Sequence, residues 1–232
     1  MEVSGIFVAA HELKSPLALM RQLALTMDFD SQPTAKLTDT RDKIVGVSER
    51  AMRQVNDLVK VARLEDGLFT MEPVAVRAVC DDVTRELRDL FEINHRSLDV
   101  YYANKSKLAT ANRELLKSVI YNFCTNALHY SDAETAATLT VREKDDYIRV
   151  DIRDFGPALP TPIWREMQSG YLNQPTAIAM RPGSSGLGLY IASKFSKYMG
   201  GKVGAIRHRD GTSFYIELPI SHQASIFDLT EV

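Results

Sequence analysis

Three short motifs in the second half of the chain combine residue types that suit nucleotide binding. Asn122 and Asn126 lie four residues apart, so on a helix they share one face and present two amide oxygens of the kind that Mg²⁺ accepts. An Asp-Phe-Gly motif at 154–156 follows a predicted strand. The glycine-containing stretch 183–189 leads into an apolar-periodic helix, whose N-terminus can cradle phosphate. Each motif alone is weak, since paired asparagines and Asp-x-Gly turns are common, but together they outline a nucleotide–Mg²⁺ site.

A histidine near the N-terminus has the chemistry of a nucleophile. His11 follows Ala10, a position of an apolar helix seam, and therefore lies about 100° around the helix on the outer flank of a predicted bundle. The neighbouring Glu12 can accept the ring proton or orient the ring. A histidine of this kind, taken alone, is ordinarily a solvated bystander, so its role depends on the motif around it.

Two helices must position that histidine. The apolar residues of 6–27 step alternately by four and three, which is a heptad seam, and the interruption at 28–33 predicts a hairpin with Pro33 in the first turn of the second helix. The second helix runs to about Glu65 and stops at Asp66-Gly67.

A further apolar row on the second helix needs a partner. Val45, Met52 and Val59 lie beside the main apolar stripe, and a hairpin cannot bury both by itself. We therefore expect a four-helix bundle made by homodimerisation; the alternative is that the hairpin packs on the rest of its own chain.

Strands and helices alternate after Gly67, which predicts a two-layer α/β sandwich and an α+β fold class overall. The expected domains are the dimerising helical hairpin at 1–66, the sandwich at 67–220 and a C-terminal tail at 221–232. The segment between Asp154 and Gly186 is predicted to be a lid, or else a plain disordered loop. Helices are expected at 77–94 and, capped by Asn112, up to about Tyr130. Extended segments are expected at 68–76, 98–102, 107–110, 138–143, 147–153, 202–207 and 212–218.

Composition excludes several classes of function. The 232 residues are 45% hydrophobic and 25% charged, with a net charge of −2, so no overall field attracts nucleic acid or anionic lipid. Cys80 and Cys124 lack the spacing of a zinc site or a disulfide framework. No apolar run is long enough to cross a membrane and no signal peptide is evident, so we expect no direct membrane contact.

The motifs together resemble those of the sensor histidine kinases, over nearly the whole chain. Residues 11–17 are similar to the phospho-acceptor box of that family, 122–127 to its asparagine box, 154–156 to its first glycine box and 185–189 to its second. The resemblance implies a dimerisation and phosphotransfer domain joined to an ATP-binding domain. It also implies ATP-dependent autophosphorylation of a histidine, followed by phosphotransfer to an aspartate of a response-regulator receiver domain.

The resemblance implies a role for each site residue. His11 would be phosphorylated, with Glu12 as its catalytic partner, and Ser15 stands where a residue often supports dephosphorylation of the regulator. Asn126 would be the principal Mg²⁺ ligand, supported by Asn122. Asp154 would accept a hydrogen bond from the adenine amino group of ATP. The other expected nucleotide contacts are His129, Tyr130 (equally a core candidate), Gly156, Arg181, Ser185, Gly186, Leu187, Gly188 and Leu189.

Departures from the family pattern leave an alternative open. His129 replaces a usual lysine, Ala158 replaces the second glycine of the Asp-x-Gly-x-Gly pattern, and the lid has no paired phenylalanines. The chain could thus be a degenerate, non-catalytic kinase that acts as a dimeric nucleotide- or partner-binding module. An ATP hydrolase of the same fold is disfavoured, because Asn122 stands where such enzymes place a glutamate base.

The resemblance also bears on localisation. No sensor segment precedes the histidine motif, so we expect a cytoplasmic fragment, the output end of a longer protein that can be anchored in the inner membrane.

Overall fold

A computed structural model describes residues 14, 16–28, 33–103, 107–132, 135–168 and 187–222. These residues divide into two compact units: the described residues up to Glu65, together with Leu187, belong to the first, and those from Asp66 onward, apart from Leu187, belong to the second. No helix in the described part of the chain is long and apolar enough to cross a membrane.

The first unit is helical. Residues 16–25 are helical and belong to α1, and α2 spans Thr34–Ala62 and is followed by a short 3-10 turn at Leu64–Asp66. Pro33 therefore precedes the second helix, where we expected it in the first turn. The helix ends earlier than predicted: its C-cap is Arg63, with φ −92°, and Gly67, with φ +66°, follows the 3-10 turn.

The predicted second apolar row of α2 is exposed. Val45 is 47% exposed, Met52 57% and Val59 44%, and their spacing of seven residues places them along one line of the helix. Large apolar side chains left exposed in a row are typical of a surface that another protein covers.

The second unit is an α/β sandwich, which confirms the predicted fold class. Its strands and helices are β1 Glu72–Val74, α3 Val76–Ile93, β2 Ser97–Tyr102, β3 Ala109–Ala111, α4 Arg113–Tyr130, β4 Ala136–Lys144, β5 Tyr147–Asp154, α5 Thr161–Gln168, α6 Leu187–Tyr198, β6 Lys202–His208 and β7 Gly211–Pro219.

Five strands form one mixed sheet in the order β2-β4-β5-β7-β6, in which only β2 and β4 run parallel; β1 and β3 make a separate antiparallel pair. On β5 the even-numbered residues from Ile148 to Ile152 are buried and the odd-numbered ones are half-buried, which is the period of a sheet with one covered face. Helix α4 packs on β4, β5 and β7, and α3 packs on α4 and β2. Phe123 of α4 stacks on Phe214 of β7 with ring centroids 5.7 Å apart.

Local sequence explains where the helix that carries the asparagines begins. The side-chain oxygen of Asn112 accepts hydrogen bonds from the backbone N–H groups of Glu114 and Leu115, both at 3.1 Å, so the predicted N-cap is confirmed. The side-chain amide of Asn112 donates in turn to the carbonyl of Thr70 at 3.1 Å. The cap therefore fixes the start of α4 against the segment that enters the sandwich.

Two expectations need correction. Only Glu72–Val74 of the predicted extended segment 68–76 forms a strand, and Pro73 fits there because the pair β1–β3 has only two strands.

The segment between Asp154 and Gly186 was expected to lack regular structure, yet it contains α5. Ile163 and Met167, four residues apart, are buried on one face of this helix, and the side chain of Gln168 donates to the carbonyl of Ala205 at 2.8 Å.

The end of α3 yields a prediction about stability. His95 adopts φ +53°, with its N–H bonded to the carbonyl of Glu92 and the N–H of Arg96 bonded to the carbonyl of Phe91, the arrangement that usually places glycine at this position. The left-handed conformation costs a non-glycine residue about 1–2 kcal/mol, which a glycine would not pay. The greater freedom of glycine in the unfolded chain offsets about 0.4–1 kcal/mol of the stability gained by the substitution. We expect His95→Gly to raise the free energy of unfolding by about 0.5–1 kcal/mol, measured by urea denaturation.

The neighbouring residue supplies the control. Asn94 has φ −88°, so Asn94→Gly relieves no strain and should destabilise the protein. A loss of stability in both variants would contradict the strain at His95.

Candidate functional site

One face of α4 carries the two predicted asparagines. Asn122 and Asn126 are half-buried, whereas Phe123, Cys124 and Ala127 of the same helix are buried in the core. The capped, core-packed helix therefore presents both amides from a rigid support, and His129 follows as an exposed residue in its last turn.

The amide of Asn122 faces the start of α6. A Cβ atom built on Gly188 would lie 3.6 Å from Oδ1 of Asn122, so the asparagine motif and the second glycine motif are adjacent in space. Nδ2 of Asn122 is buried and has no hydrogen-bond partner among the described residues. A buried amide left without a partner costs free energy unless a ligand or water satisfies it, so this atom fits a polar group held between α4 and α6.

The carboxylate of Asp154 is buried at the end of β5. It is 1% exposed, and its Oδ1 accepts hydrogen bonds from the backbone N–H groups of Thr212, at 3.0 Å, and Gly156, at 3.3 Å. Asp154 and Thr212 are register partners in the β5–β7 pair, which explains the first bond. The hydroxyl of Thr212 accepts from the N–H of Leu159 at 3.2 Å, so the chain after Asp154 is held from both sides.

The end of α4 and the chain after β5 meet at a contact with no room for a side chain. A Cβ atom on Gly156 would lie 1.7 Å from the carbonyl oxygen of Tyr130. Two hydrogen bonds flank this contact: the N–H of Asp132 donates to the carbonyl of Phe155 at 3.1 Å, and the N–H of Phe155 donates to Oγ of Ser131 at 3.4 Å.

The structure brings the predicted site residues together in two places. Asn122 lies beside Gly188, and Tyr130 lies against Gly156 and is half-buried. Leu187 and Leu189 are buried, and they begin α6. Six predicted residues lie outside the described part of the chain: His11, Glu12, Ser15, Arg181, Ser185 and Gly186.

Sequence reasoning missed two residues that position the site. Thr212 sits in the predicted β7 strand directly after Gly211, and only the register of β5 with β7 shows that it faces Asp154. Ser131 is the C-cap of α4, and nothing in its sequence context distinguishes it from an ordinary helix end.

The two glycines of the site give a matched pair of variants. Gly156→Ala must displace the backbone carbonyl of Tyr130, so we expect it to lower the free energy of unfolding by about 1–3 kcal/mol. Gly188→Ala would make only an ordinary contact with Asn122 and lies in a helix, so we expect stability equal to or slightly above that of the wild type. Urea denaturation of both variants tests this, and equal stability of the two would show that the approach to Tyr130 is not close.

Comparison with known proteins finds sensor histidine kinases among the proteins that are similar to this chain. Residues 111–222 match the family model described as histidine kinase-, DNA gyrase B-, and HSP90-like ATPase. The probable sensor histidine kinase TcrY of Mycobacterium tuberculosis is 25% identical over 214 residues, which cover 91% of this chain and 44% of TcrY. The chain spans about half, or less, of the length of the curated relatives it matches.

Solved structures show the same fold. The histidine kinase AdeS of Acinetobacter baumannii superimposes with a TM-score of 0.65 at 17% identity, covering 91% of this chain and 98% of that one. The histidine kinase ThkA in complex with the response regulator protein TrrA gives a TM-score of 0.60 at 18% identity, covering 91% and 60%.

Proposed function

The chain belongs to the sensor histidine kinases, and we propose that it transfers the γ-phosphate of ATP to His11 and then to an aspartate of a response regulator. The observation that carries this proposal is the unsatisfied amide of Asn122 beside Gly188 at the N-terminal end of α6. An amide donor close to a helix N-terminus suits phosphate oxygens.

Asp154 would hold the other end of the nucleotide. Its Oδ1 is engaged by two backbone N–H groups, which fix the orientation of the carboxylate. A carboxylate held in this way can accept a hydrogen bond from the exocyclic amino group of adenine. Tyr130, Leu187 and Leu189 would border the nucleotide, together with Arg181, Ser185 and Gly186 of the segment before α6.

Mg²⁺ would be held by the amide face of α4. Asn126, with support from Asn122, offers neutral oxygen ligands to an ion that prefers oxygen and keeps part of its water shell. The ion would neutralise charge on the phosphates, while the chain itself positions them, as phosphoryl transfer requires.

His11 would be the acceptor, because the motif around it resembles the phospho-acceptor box of the family. Glu12 would take the proton from the ring or orient it, so that the free nitrogen attacks phosphorus, and Ser15 would support dephosphorylation of the regulator. For the second transfer we propose a receiver domain as partner, in keeping with the solved complex of ThkA with the regulator TrrA. We further propose that these steps take place in the cytoplasm, on a protein that is anchored in the inner membrane as a whole.

A second copy of the chain would cover the exposed row of α2. Val45, Met52 and Val59 repeat every seven residues, the spacing of helix pairs that pack side by side, so we propose a homodimer with a four-helix bundle at residues 1–66. The proposed domains after it remain the ATP-binding sandwich at 67–220 and the tail at 221–232.

The alternative, a non-catalytic binding module, is favoured by one observation. His129 is exposed at the end of α4 and replaces the lysine that the family usually carries, which removes a permanent positive charge near the proposed phosphates. A module of this kind would bind nucleotide without transferring phosphate, so the following experiment separates the two functions.

The central test is incubation with γ-labelled ATP and Mg²⁺. We expect acid-labile, base-stable label on the wild-type protein, because phosphohistidine has that stability, and none on His11→Gln. Labelled His11→Gln would contradict the proposed acceptor. Nucleotide binding without any label on the wild type would favour the binding module.

Base recognition can be tested with a substitution that keeps the fold. Asp154→Asn retains an oxygen to accept from Thr212 and Gly156 but replaces the other oxygen by an amino group. We expect affinity for ATP to fall by about 10-fold or more, since a donor then faces a donor, and affinity for inosine triphosphate, which has an oxygen at that position, to fall less. Isothermal titration calorimetry measures both, and equal losses would contradict the contact.

The phosphate end has its own variant. Gly188→Ala, expected to fold normally, places a methyl group against the amide of Asn122, so we expect weaker binding of ATP with little change for adenosine. Unchanged affinity for ATP would show that phosphate does not approach this surface.

Dimerisation can be tested at the middle of the row. In a symmetric dimer each protomer would place its own Met52→Glu carboxylate in the interface, so two charges would be buried. We therefore expect the dimer dissociation constant to rise by about 10-fold or more. Sedimentation measures it, with Lys36→Glu as control because Lys36 is exposed on the opposite side of α2. An unchanged dimer in Met52→Glu would exclude this row from the interface.

A further inference from the structure

Ser131 lies where the two halves of the proposed nucleotide site are joined. It is 4% exposed, its N–H donates to the carbonyl of Ala127 at 3.0 Å, and its Oγ accepts from the N–H of Phe155 at 3.4 Å. The first bond belongs to α4 and the second crosses to the chain that follows β5. The residue therefore ends one element and contacts the next.

The side chain of Ser131 connects the phosphate end of the proposed site, at the amide face of α4, with the base end, at Asp154. Asn126 is five residues before Ser131 on a rigid helix, and Asp154 directly precedes Phe155. We infer that Ser131 is a positioning residue, which holds the amide face of α4 at a fixed spacing from the Asp154 carboxylate so that a nucleotide can engage both. This inference rests on the proposed function, because it concerns the same site.

Two further contacts across this junction are made by the backbone. The N–H of Asp132 donates to the carbonyl of Phe155, and Gly156 packs on the carbonyl of Tyr130. The hydrogen bond to Oγ of Ser131 is made by a side chain, so Ser131→Ala removes it without changing these backbone contacts. At 3.4 Å it is a long hydrogen bond, and its loss should loosen the spacing without unfolding the domain.

A matched control lies on the same helix. The hydroxyl of Thr125 donates within α4, to the carbonyls of Tyr121 at 3.0 Å and Asn122 at 3.1 Å. Thr125→Val removes a hydroxyl without changing side-chain volume much and leaves the junction intact. This control shows what the loss of a buried hydroxyl does by itself, so that any further change in Ser131→Ala can be assigned to the bond between Ser131 and Phe155.

The first measurement needs no nucleotide. In the full chain we expect the amide proton of Phe155 to exchange with solvent about 3- to 10-fold faster in Ser131→Ala than in the wild type, with the amide of Thr212 unchanged. Thr125→Val should leave both rates unchanged. Unchanged exchange at Phe155 in Ser131→Ala would overturn the inference.

The second measurement compares the binding of ATP with that of adenosine, which lacks the phosphates, by calorimetry. We expect Ser131→Ala to lower the affinity for ATP by about 3- to 10-fold and the affinity for adenosine by much less, because only ATP must reach both ends of the site. In the background of Asn126→Ala the effect of Ser131→Ala on the affinity for ATP should be smaller, since the phosphate end then contributes less to binding. Ser131→Cys, close to serine in size but a weak acceptor, should be intermediate and guards against a folding defect in the alanine variant.

The outcomes separate this inference from the function on which it rests. Equal weakening of ATP and adenosine, or an undiminished effect of Ser131→Ala in the Asn126→Ala background, would overturn the positioning role alone. Failure of the wild-type protein to bind ATP would overturn the proposed function itself.

Discussion

The contact between Gly156 and the carbonyl of Tyr130 is the constraint on which the rest of the site depends. A Cβ atom at residue 156 would lie 1.7 Å from that oxygen, so only glycine permits the chain after β5 to reach the end of α4. Both partners in this contact are backbone, so it limits how closely the two elements approach, and the side chain of Ser131 adds a hydrogen bond across the same junction. A site held by rigid elements in this way is organised before any ligand arrives.

The strand register provides the second support. Pairing of Asp154 with Thr212 brings the N–H of Thr212 to the carboxylate, and this pairing also needs Gly211, which adopts φ +143° and would carry a Cβ atom 2.0 Å from the carbonyl of Asp154. The Thr212 hydroxyl then fixes Leu159, two residues before α5. The Asp154 carboxylate and the start of the segment toward α6 are thereby tied to one strand pair.

Local patterns were enough to predict most elements of the sandwich. The cap at Asn112 and the alternation in β5 are both set by neighbouring residues, and each appears as expected. The exposed position of Met52 also followed from helical spacing. The α5 helix was missed because Pro and Gly surround it and its apolar face covers only two turns, so tertiary packing decides its conformation. Thr212 and Ser131 were missed because their roles come from register and helix-end geometry, which no local spacing encodes.

The residue type at 122 bears on what becomes of the phosphate. A carboxylate beside Gly188 would be able to take a proton from water and so promote hydrolysis, whereas the amide of Asn122 can donate or accept hydrogen bonds but is not a base. In the proposed function, the surface between α4 and α6 would therefore hold phosphate oxygens without activating water against them. A phosphoryl group kept in this way is available to an external nucleophile, and the imidazole of His11, with Glu12 beside it, has the chemistry to act as one.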